Sequence, residues 1–375
     1  MRILSKLWET LSFALQPEFW RMIVFWIWAL LLSYFKALLL PNSRRYTRSS
    51  PPQLPHTASS SSPPPHFRPL CIITGATSGL GAAAAHALSK EGFFVVLVGR
   101  SSQLLEETMR EIKARNNTAQ LKAFQVDLSS FISILKFKSS LEQWLLDSDM
   151  HSSVQLLVND AGILATSHRL TVEGYDEVMA TNYIGAFCLT KLLLPLLKNS
   201  PIPSRIVNVT SFTHRSVSSV QINKDVVAGK WLSGLKQYPF ARVYEFSKLF
   251  VLLFSYELHQ QLASNDESCQ ISVLAADPGF VKTNLLREFP SFITQVAFFV
   301  LDLVGLLQSS ENGISSILDA ALAPPEISGV YFFGGKGRTI KSSKLSYNDR
   351  LRHELWTTSS DLFLQSQLAT TEIFT

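Results

Sequence analysis

Apolar runs of strand length alternate with longer helical patterns from about residue 69 to the end of the chain. The candidate strands are Leu70–Thr74, Phe93–Gly99, Leu121–Val126, Val154–Val158, Arg205–Thr210, Ile271–Ala275 and Val330–Phe333. The candidate helices between them include Gly79–Lys90, Leu104–Arg115, Thr171–Leu197 and Ala241–Ala263. This alternation predicts right-handed βαβ crossovers, and strands apolar along their length are typical of a sheet covered on both faces. The pattern therefore predicts an α/β fold with a doubly wound parallel sheet, in one catalytic domain over residues 68–365 with a C-terminal tail at 366–375.

A 19-residue apolar stretch, Met22–Leu40, follows an N-terminal segment at residues 1–21, and only Ser33 and Lys36 interrupt it. A helix of this length reaches about 28 Å, close to the hydrocarbon thickness of a bilayer. The stretch predicts a transmembrane helix over residues 22–40 and a single-pass membrane protein. A cleaved signal peptide is the alternative, which the long apolar run disfavours. Basic residues flank both ends, so orientation stays open, and among organelles the endoplasmic reticulum is favoured.

The next segment, residues 41–67, reads as a linker. Residues 41–66 contain seven Pro and seven Ser and cannot build a core. We therefore expect an extended, flexible tether between the apolar helix and the catalytic domain.

Charge is concentrated at the N-terminus. The net charge of the chain is +5. Residues 1–68 hold eight basic and two acidic residues, and the rest of the chain is close to neutral. No basic face for nucleic acid is predicted. The three cysteines form no metal-ligand spacing, and no metal site is predicted.

A glycine-rich turn joins the first strand to the first helix. It reads Thr74–Gly81 with the spacing G-x-x-x-G-x-G. Such a turn lets the backbone approach a pyrophosphate, and the helix N-terminus adds amide donors and partial positive charge. The predicted cofactor contacts are Gly75, Thr77, Ser78, Gly79, Leu80 and Gly81. A turn with no ligand is the alternative. The context predicts a Rossmann-type dinucleotide site.

The end of the second strand bears on cofactor choice. Gly99 stands where an NAD-preferring site carries an acid for the ribose 2′-hydroxyl, and Arg100 follows it. An arginine there is placed to pair with a 2′-phosphate. The sequence favours NADP(H), with NAD(H) and a free surface arginine as the alternatives.

Four polar residues form the candidate catalytic set. Tyr244 and Lys248 lie four residues apart on one face of a predicted helix, and an ammonium there would lower the tyrosine pKa. Ser211 ends a strand, where its hydroxyl could reach a carbonyl oxygen or cap the next turn. Asn182 lies inside a helical pattern, which suggests either a specific hydrogen bond or a solvent-facing side chain.

With these motifs in order, the chain resembles the short-chain dehydrogenases/reductases over roughly residues 68–365, and most of all their retinol-dehydrogenase-like branch. The matching pieces are TGATSGLG (Thr74–Gly81), VDL (Val126–Leu128), NDAG (Asn159–Gly162), TNYIGAF (Thr181–Phe187), RIVNVTS (Arg205–Ser211), YEFSK (Tyr244–Lys248) and DPGFVKTNL (Asp277–Leu285).

The resemblance implies roles for individual residues. Tyr244 would be the acid/base, Lys248 would lower its pKa and hold the nicotinamide ribose, Ser211 would polarise the substrate oxygen, and Asn182 would hold a water. Asp127 would contact the adenine. The further implied cofactor contacts are Leu128, Asn159, Ala161, Gly162, Tyr244, Lys248, Pro278, Gly279, Val281 and Thr283.

Two departures from the family pattern stand out. Asp160 replaces the second Asn of NNAG, and 33 residues separate Ser211 from Tyr244. The resulting insertion, 212–240, contains His214, to which we assign no role from sequence.

The segment after the PG motif is strongly apolar over Phe289–Leu307, which predicts a lid helix and a lipophilic substrate. Together these features predict an NADP-dependent membrane oxidoreductase acting on a lipophilic alcohol or carbonyl compound of the retinal or sterol kind. Membrane lipid is a second expected partner, and a homo-oligomer is left open. A non-catalytic dinucleotide-binding regulator or scaffold, and an NAD-dependent alcohol dehydrogenase, are the alternatives.

Overall fold

A seven-stranded parallel sheet forms the centre of the protein, in a computed structural model that describes residues 8, 10–39, 44–50, 67–148, 150–265 and 270–374. The strand order is β3-β2-β1-β4-β5-β6-β9. The strands are β1 (Leu70–Thr74), β2 (Phe94–Gly99), β3 (Leu121–Gln125), β4 (Leu156–Asn159), β5 (Ser204–Val209), β6 (Ile271–Asp277) and β9 (Val330–Phe333). All seven predicted strands are confirmed, with boundaries shifted by at most two residues.

Helices cover both faces of this sheet, as predicted. They are α1 (Pro17–Leu39), α2 (Gly79–Lys90), α3 (Ser102–Arg115), α4 (Phe131–Asp147), α5 (Glu177–Met179), α6 (Gly185–Lys198), α7 (Lys224–Ala228), α8 (Phe240–Asn265), α9 (Ser291–Leu303), α10 (Ser310–Gly313), α11 (Ser315–Ala321) and α12 (Asp349–Phe374). A short parallel ladder pairs β7 (Phe280–Val281) with β8 (Leu307–Gln308) beside α9.

The order of the sheet fixes where a ligand can bind. The chain runs outward from β1 to β2 and β3, then returns to place β4 on the other side of β1. A cleft opens at the carboxyl ends of strands at such a reversal, because the connections leave in opposite directions. The loops after β1, β2, β4, β5 and β6 therefore line one cleft.

The helical pattern predicted for Thr171–Leu197 is interrupted in the structure. Asp176 caps α5, the five residues Ala180–Ile184 form a π-helical turn, and α6 follows. Residues 177–198 are long and apolar enough to cross a membrane, but 72% of their most apolar window is buried. This segment is a core helix of the catalytic domain.

The N-terminal apolar helix lies against the catalytic domain. It begins at Pro17, five residues before the predicted start, and its described part ends at Leu39. Its length and composition are sufficient to cross a membrane. One stripe of its surface is buried in the domain, at Phe19, Met22, Trp26, Ala29, Leu30, Ser33 and Ala37. That spacing follows the helical period, so the helix has one docked and one outward face.

Part of the predicted flexible tether is bound to the domain. Residues 44–50 lie within the linker expected at 41–67, yet they are hydrogen-bonded to the catalytic domain. Arg48 forms a 2.7 Å ion pair with buried Asp319, and the Arg44 carbonyl accepts from the Thr339 backbone. The prediction of a free tether is wrong for these seven residues, because paired polar groups offset the lack of apolar side chains. Residues 41–43 and 51–66 of the linker lie outside the described part.

The predicted C-terminal tail is the end of a helix. Helix α12 runs unbroken through the expected boundary at 365. Its buried Leu362 belongs to the main core, Phe363 meets Phe131 edge-on, and Thr370 is buried. The domain therefore extends to at least residue 370, which corrects the boundary at 366.

Candidate active site

The glycine-rich turn forms a cradle between β1 and α2. Gly75 and Gly79 have φ values of +70° and +55°, a region that favours glycine. A Cβ on Gly75 would lie 2.9 Å from the Ala161 Cα. Ser78, at the N-cap of α2, makes no side-chain bond to the first amides of that helix. An open backbone and uncapped helix amides fit the pyrophosphate of a dinucleotide.

A cavity of about 580 Å³ continues from this cradle along the carboxyl ends of the strands. That volume lies in the ordinary range for small-molecule sites. The predicted site residues that line it are Gly75, Thr77, Ser78, Gly79, Leu80, Arg100, Leu128, Ala161, Gly162, Ser211, Tyr244, Lys248, Pro278, Gly279, Val281 and Thr283. The folded chain thus gathers residues from seven separate sequence segments around one space.

Ser211, Tyr244 and Lys248 meet at one end of the cavity. The Ser211 side chain hydrogen-bonds to Tyr244, and it also accepts from the Thr213 amide at 3.3 Å, which is the capping role considered for it. The Lys248 ammonium lies 5.7 Å from the centroid of the Tyr244 ring and donates to the Val209 carbonyl at 3.1 Å. Helix α8 supplies two of the three groups and the end of β5 the third.

Burial governs the acidity of this tyrosine. Burial raises the pKa of Tyr244 well above its ordinary value, the Asp277 carboxylate raises it further, and the Ser211 hydrogen bond acts against both. The expected net lowering of this pKa by Lys248 is absent from the structure, because burial and the Asp277 carboxylate outweigh any effect of the ammonium, which lies 5.7 Å from the ring centroid. The resting tyrosine therefore carries its proton, ready to donate.

Asn182 makes the specific hydrogen bonds suggested by its position. It lies in the π-helical turn, and its Oδ1 accepts from the Ile163 amide at 2.8 Å. Its Nδ2 donates to the Ile163 carbonyl and to Ser247 Oγ, both at 3.0 Å. Asn182 thus holds the loop after β4 against helix α8, at the residue that immediately precedes Lys248.

Three other predicted cofactor contacts do not line the cavity. Gly81 packs beneath the cradle, where a Cβ would collide with the Gly75 carbonyl. The Asn159 side chain is buried and donates to Thr190 and Asn208. Asp127 accepts from the Ser129 amide and hydroxyl at 2.9 and 2.7 Å. In this structure these residues shape the loops that border the site.

Arg100 lies at the rim of the cavity, directly after β2. Its side chain is half-exposed and pairs with Glu177 at 3.4 Å. A long, exposed pair of this kind contributes little, so the guanidinium is available to an anionic ligand.

Two opposite charges are buried together beside the cradle. Burial raises the pKa of Asp160 to about 7, against the attraction of Lys248. Burial also lowers the pKa of Lys248 to about 8, while Asp160 and Asp277 act in the other direction. Asp160, noted in sequence only as a departure from the family pattern, is therefore a charged group in the wall of the site.

His214 positions the loop that carries Ser211, a role that sequence reasoning missed. Its Nε2 accepts from the Ser343 amide at 3.1 Å, so Nδ1 holds the proton and donates to the Ser211 carbonyl at 2.6 Å. Burial keeps the pKa of His214 well below its usual value. Its place three residues after the candidate serine was the available signal.

Two further residues of the site were also missed, Trp26 and Glu245. Trp26 comes from helix α1 and lines the cavity, with its ring 5.6 Å from that of Tyr244. Glu245 follows Tyr244 in the chain and is almost completely buried. Its place directly after Tyr244 was the sequence signal for Glu245, and Trp26 offered none beyond its apolar surroundings.

Comparison with known proteins agrees with this geometry. The family model described as short chain dehydrogenase matches residues 70–222. The chain is 30% identical to polyprenol dehydrogenase of Danio rerio over 300 residues, covering 78% of this chain and 86% of that protein. It is also 30% identical to retinol dehydrogenase 13 of Mus musculus over 298 residues, covering 78% and 82%.

Solved structures share the fold. An actinorhodin polyketide ketoreductase with NADPH has a TM-score of 0.54 and 25% identity, covering 72% of this chain and 97% of that one. A 3-oxoacyl-[acyl-carrier protein] reductase from Brucella melitensis in complex with NAD has a TM-score of 0.54 and 20% identity, with the same coverage.

Replacing Asp160 by Asn should change how stability depends on pH. The folded pKa of about 7 exceeds the ordinary unfolded value of about 4, so the folded state binds this proton more tightly. The contribution of Asp160 to stability is complete below about pH 4 and is lost as pH rises through 7. Asn carries no charge, so the melting temperature of Asp160→Asn relative to the native chain should be higher at pH 8 than at pH 5.

Thermal melts of cofactor-free protein test this prediction, with substitution of the exposed Asp147 by Asn as the control. A difference that stays constant or shrinks with rising pH contradicts the assignment.

Proposed function

The chain belongs to the short-chain dehydrogenase family, in its retinol-dehydrogenase-like branch, and on that premise we propose that it is an NADP(H)-dependent oxidoreductase that interconverts a lipophilic alcohol and its carbonyl compound at a membrane. The observation that carries the proposal is the meeting of Ser211, Tyr244 and Lys248 in one cavity with an open phosphate cradle. Gly75 to Leu80 and Arg100 would hold the phosphates of the cofactor, and the loop from Pro278 to Thr283 would face its nicotinamide.

The polar groups divide the chemistry among them. A carbonyl oxygen beside Ser211 and Tyr244 can accept a hydrogen bond from each hydroxyl. The cofactor, when bound, supplies or accepts the hydride. As charge develops on that oxygen, Tyr244 transfers its phenolic proton to it. Lys248 is mostly protonated at neutral pH, and its ammonium stabilises the phenolate that remains. Oxidation of the alcohol uses the same groups in reverse.

The substrate end of the cavity is apolar. It is lined by Trp26, Ile163, Phe212, Phe280, Leu285 and Leu286. A lining of this kind favours an apolar group next to the reacting carbon. The names of the relatives, polyprenol dehydrogenase and retinol dehydrogenase, point to the same chemical class of substrate for this chain.

Membrane attachment is supported by two outward apolar faces. The undocked side of α1 exposes residues such as Phe25, Trp28 and Leu38, and α9 exposes Phe292 and Phe299. The inner sides of both helices pack on one shared apolar cluster, so the two faces are close together. Exposed apolar side chains on two helices that share one cluster are suited to the acyl boundary of a bilayer. The organelle stays a prediction.

A regulator or scaffold without turnover is the second candidate, since such a protein could retain these side chains. Replacement of Tyr244 by Phe separates the two. It removes the transferable proton and keeps the ring, so the rate of NADPH oxidation with an apolar aldehyde should fall by about 10²-fold or more. The dissociation constant for NADPH, measured by fluorescence, should stay within about twofold. Absence of turnover by the native protein with a panel of lipophilic carbonyls and alcohols and both cofactors would favour the scaffold.

Arg100→Asp tests the cofactor assignment. Losing a charge-assisted bond to a 2′-phosphate and gaining a repelling carboxylate should lower kcat/KM for NADPH by about 10–100-fold. The value for NADH should rise or stay constant, because Asp can bind a ribose 2′-hydroxyl. Steady-state kinetics with each cofactor gives the ratio, and Arg110→Asp on α3 serves as the matched control. An unchanged ratio would contradict a role of Arg100 in binding a 2′-phosphate.

Phe299→Asp tests the membrane face. A charge on the exposed side of α9 should reduce flotation of the full-length protein with phosphatidylcholine liposomes by severalfold. Leu146→Asp on α4 introduces the same charge at an equally exposed residue outside this face and should have no effect. Equal flotation of both variants and the native chain contradicts a role for α9.

A further inference from the structure

The carboxylate of Glu245 joins the N-terminal helix to the active site. Glu245 is only 1% exposed, and it lies directly beside Tyr244 in α8. Arg21 binds both of its oxygens, at 3.0 and 3.1 Å, and the Trp26 indole donates to Oε1 at 2.7 Å. A buried carboxylate requires such partners, because loss of one would leave charge without compensation.

A second acid extends this network to the start of α8. Glu18 accepts from Arg21 at 2.9 and 3.0 Å, and it also accepts from the Arg242 backbone amide at 3.1 Å. Helix α1 is therefore attached to α8 at two points, by the ion pair of Arg21 with Glu245 and by the bond from the Arg242 amide in the first turn of α8 to Glu18. That turn precedes the catalytic tyrosine by one residue.

These contacts fix the orientation of Trp26. With its N–H directed at Glu245, the indole presents its ring to the cavity, 5.6 Å from the Tyr244 ring at an interplanar angle of 43°. Other aromatic rings belong to the same apolar cluster as Trp26. Among them, Phe13 stacks on Phe240 and meets Phe289 edge-on. One wall beside the reacting groups is thus built by a segment more than 200 residues away in sequence.

We propose that Trp26 is a substrate-positioning residue, held by the Glu245–Arg21 pair, so that the N-terminal helix completes the substrate pocket as well as facing the membrane. The flat ring would pack against an apolar chain attached directly to the carbonyl or carbinol carbon. The inference rests on the proposed function and deepens it, because it assigns specificity for that apolar chain to α1.

The test compares two tryptophans of one helix in the full-length protein, assayed in detergent solution with NADPH. Trp26 is buried in the site, whereas Trp28 is 66% exposed. With farnesal as the bulky carbonyl, Trp26→Ala should raise KM by about 10-fold or more, the effect of losing one well-packed side chain. With propanal, whose ethyl group offers the ring little apolar area, KM should change by less than about twofold. Trp28→Ala should leave both values unchanged.

Two further measurements separate positioning from a loss of structure. The dissociation constant for NADPH should stay within about twofold in both variants. Trp26→Phe keeps an aromatic ring but loses the bond to Glu245, so its KM for farnesal should lie between those of the native chain and Trp26→Ala. This milder variant gives the answer if Trp26→Ala does not fold.

The outcomes are distinct. If the native protein reduces farnesal and neither Trp26 variant changes its KM, the positioning role is wrong and the proposed function stands. An equal rise of KM for propanal and farnesal would also overturn it, because that pattern indicates general damage to the site. If the native protein binds NADPH but turns over no carbonyl or alcohol, the proposed function fails and the inference fails with it.

Discussion

A carboxylate deprived of water must be neutralised by its neighbours, and in this protein that carboxylate is next to Tyr244, the proposed proton donor. The requirement of Glu245 for Arg21 and Trp26 connects three parts of the molecule: α8 with its reactive groups, α1 with its outward apolar face, and the cavity between them. Apolar contacts and further hydrogen bonds, such as that from Arg215 to Ser33, also hold α1, and the pairing with Glu245 adds directional bonds beside Tyr244. The directional bonds give the helix one register, and that register brings an indole to the site.

The fold could be predicted from sequence because its signals are local. A run such as Ile271–Ala275 is apolar over the length of one strand, and the spacing of Tyr244 and Lys248 lies within a single helix. The place of Ser211 in the site follows from its position at the end of a strand, since the parallel topology brings strand ends to one edge. The pair of Arg21 and Glu245 could not be predicted in this way. The two residues are 224 positions apart; Arg21 lies outside the motifs, and Glu245 occupies one of the three positions between Tyr244 and Lys248 to which the motif assigns no role.

Several side chains have partners in the structure that the sequence did not reveal. A segment rich in Pro and Ser has no core of its own, but Arg48 still finds a buried acid on the domain and orders its neighbours. Asn159 belongs to a family motif, yet its amide is used inside the sheet–helix interface. In both cases the sequence shows that the side chain is polar. It does not show which residue the side chain binds, because that partner is brought close only by the tertiary structure. The net acidity of Tyr244 is a similar case, because burial outweighs a nearby positive charge.

The docking of residues 44–50 also limits how far α1 can travel. Leu39 ends the described helix and Arg44 is already bonded to Thr339, so five Cα–Cα steps connect two attached points. A fully extended chain of that length spans at most about 18 Å. A detached α1 would thus stay within reach of its own groove, at the high effective concentration of an intramolecular ligand. Lipid would have to compete for α1 against that intramolecular binding.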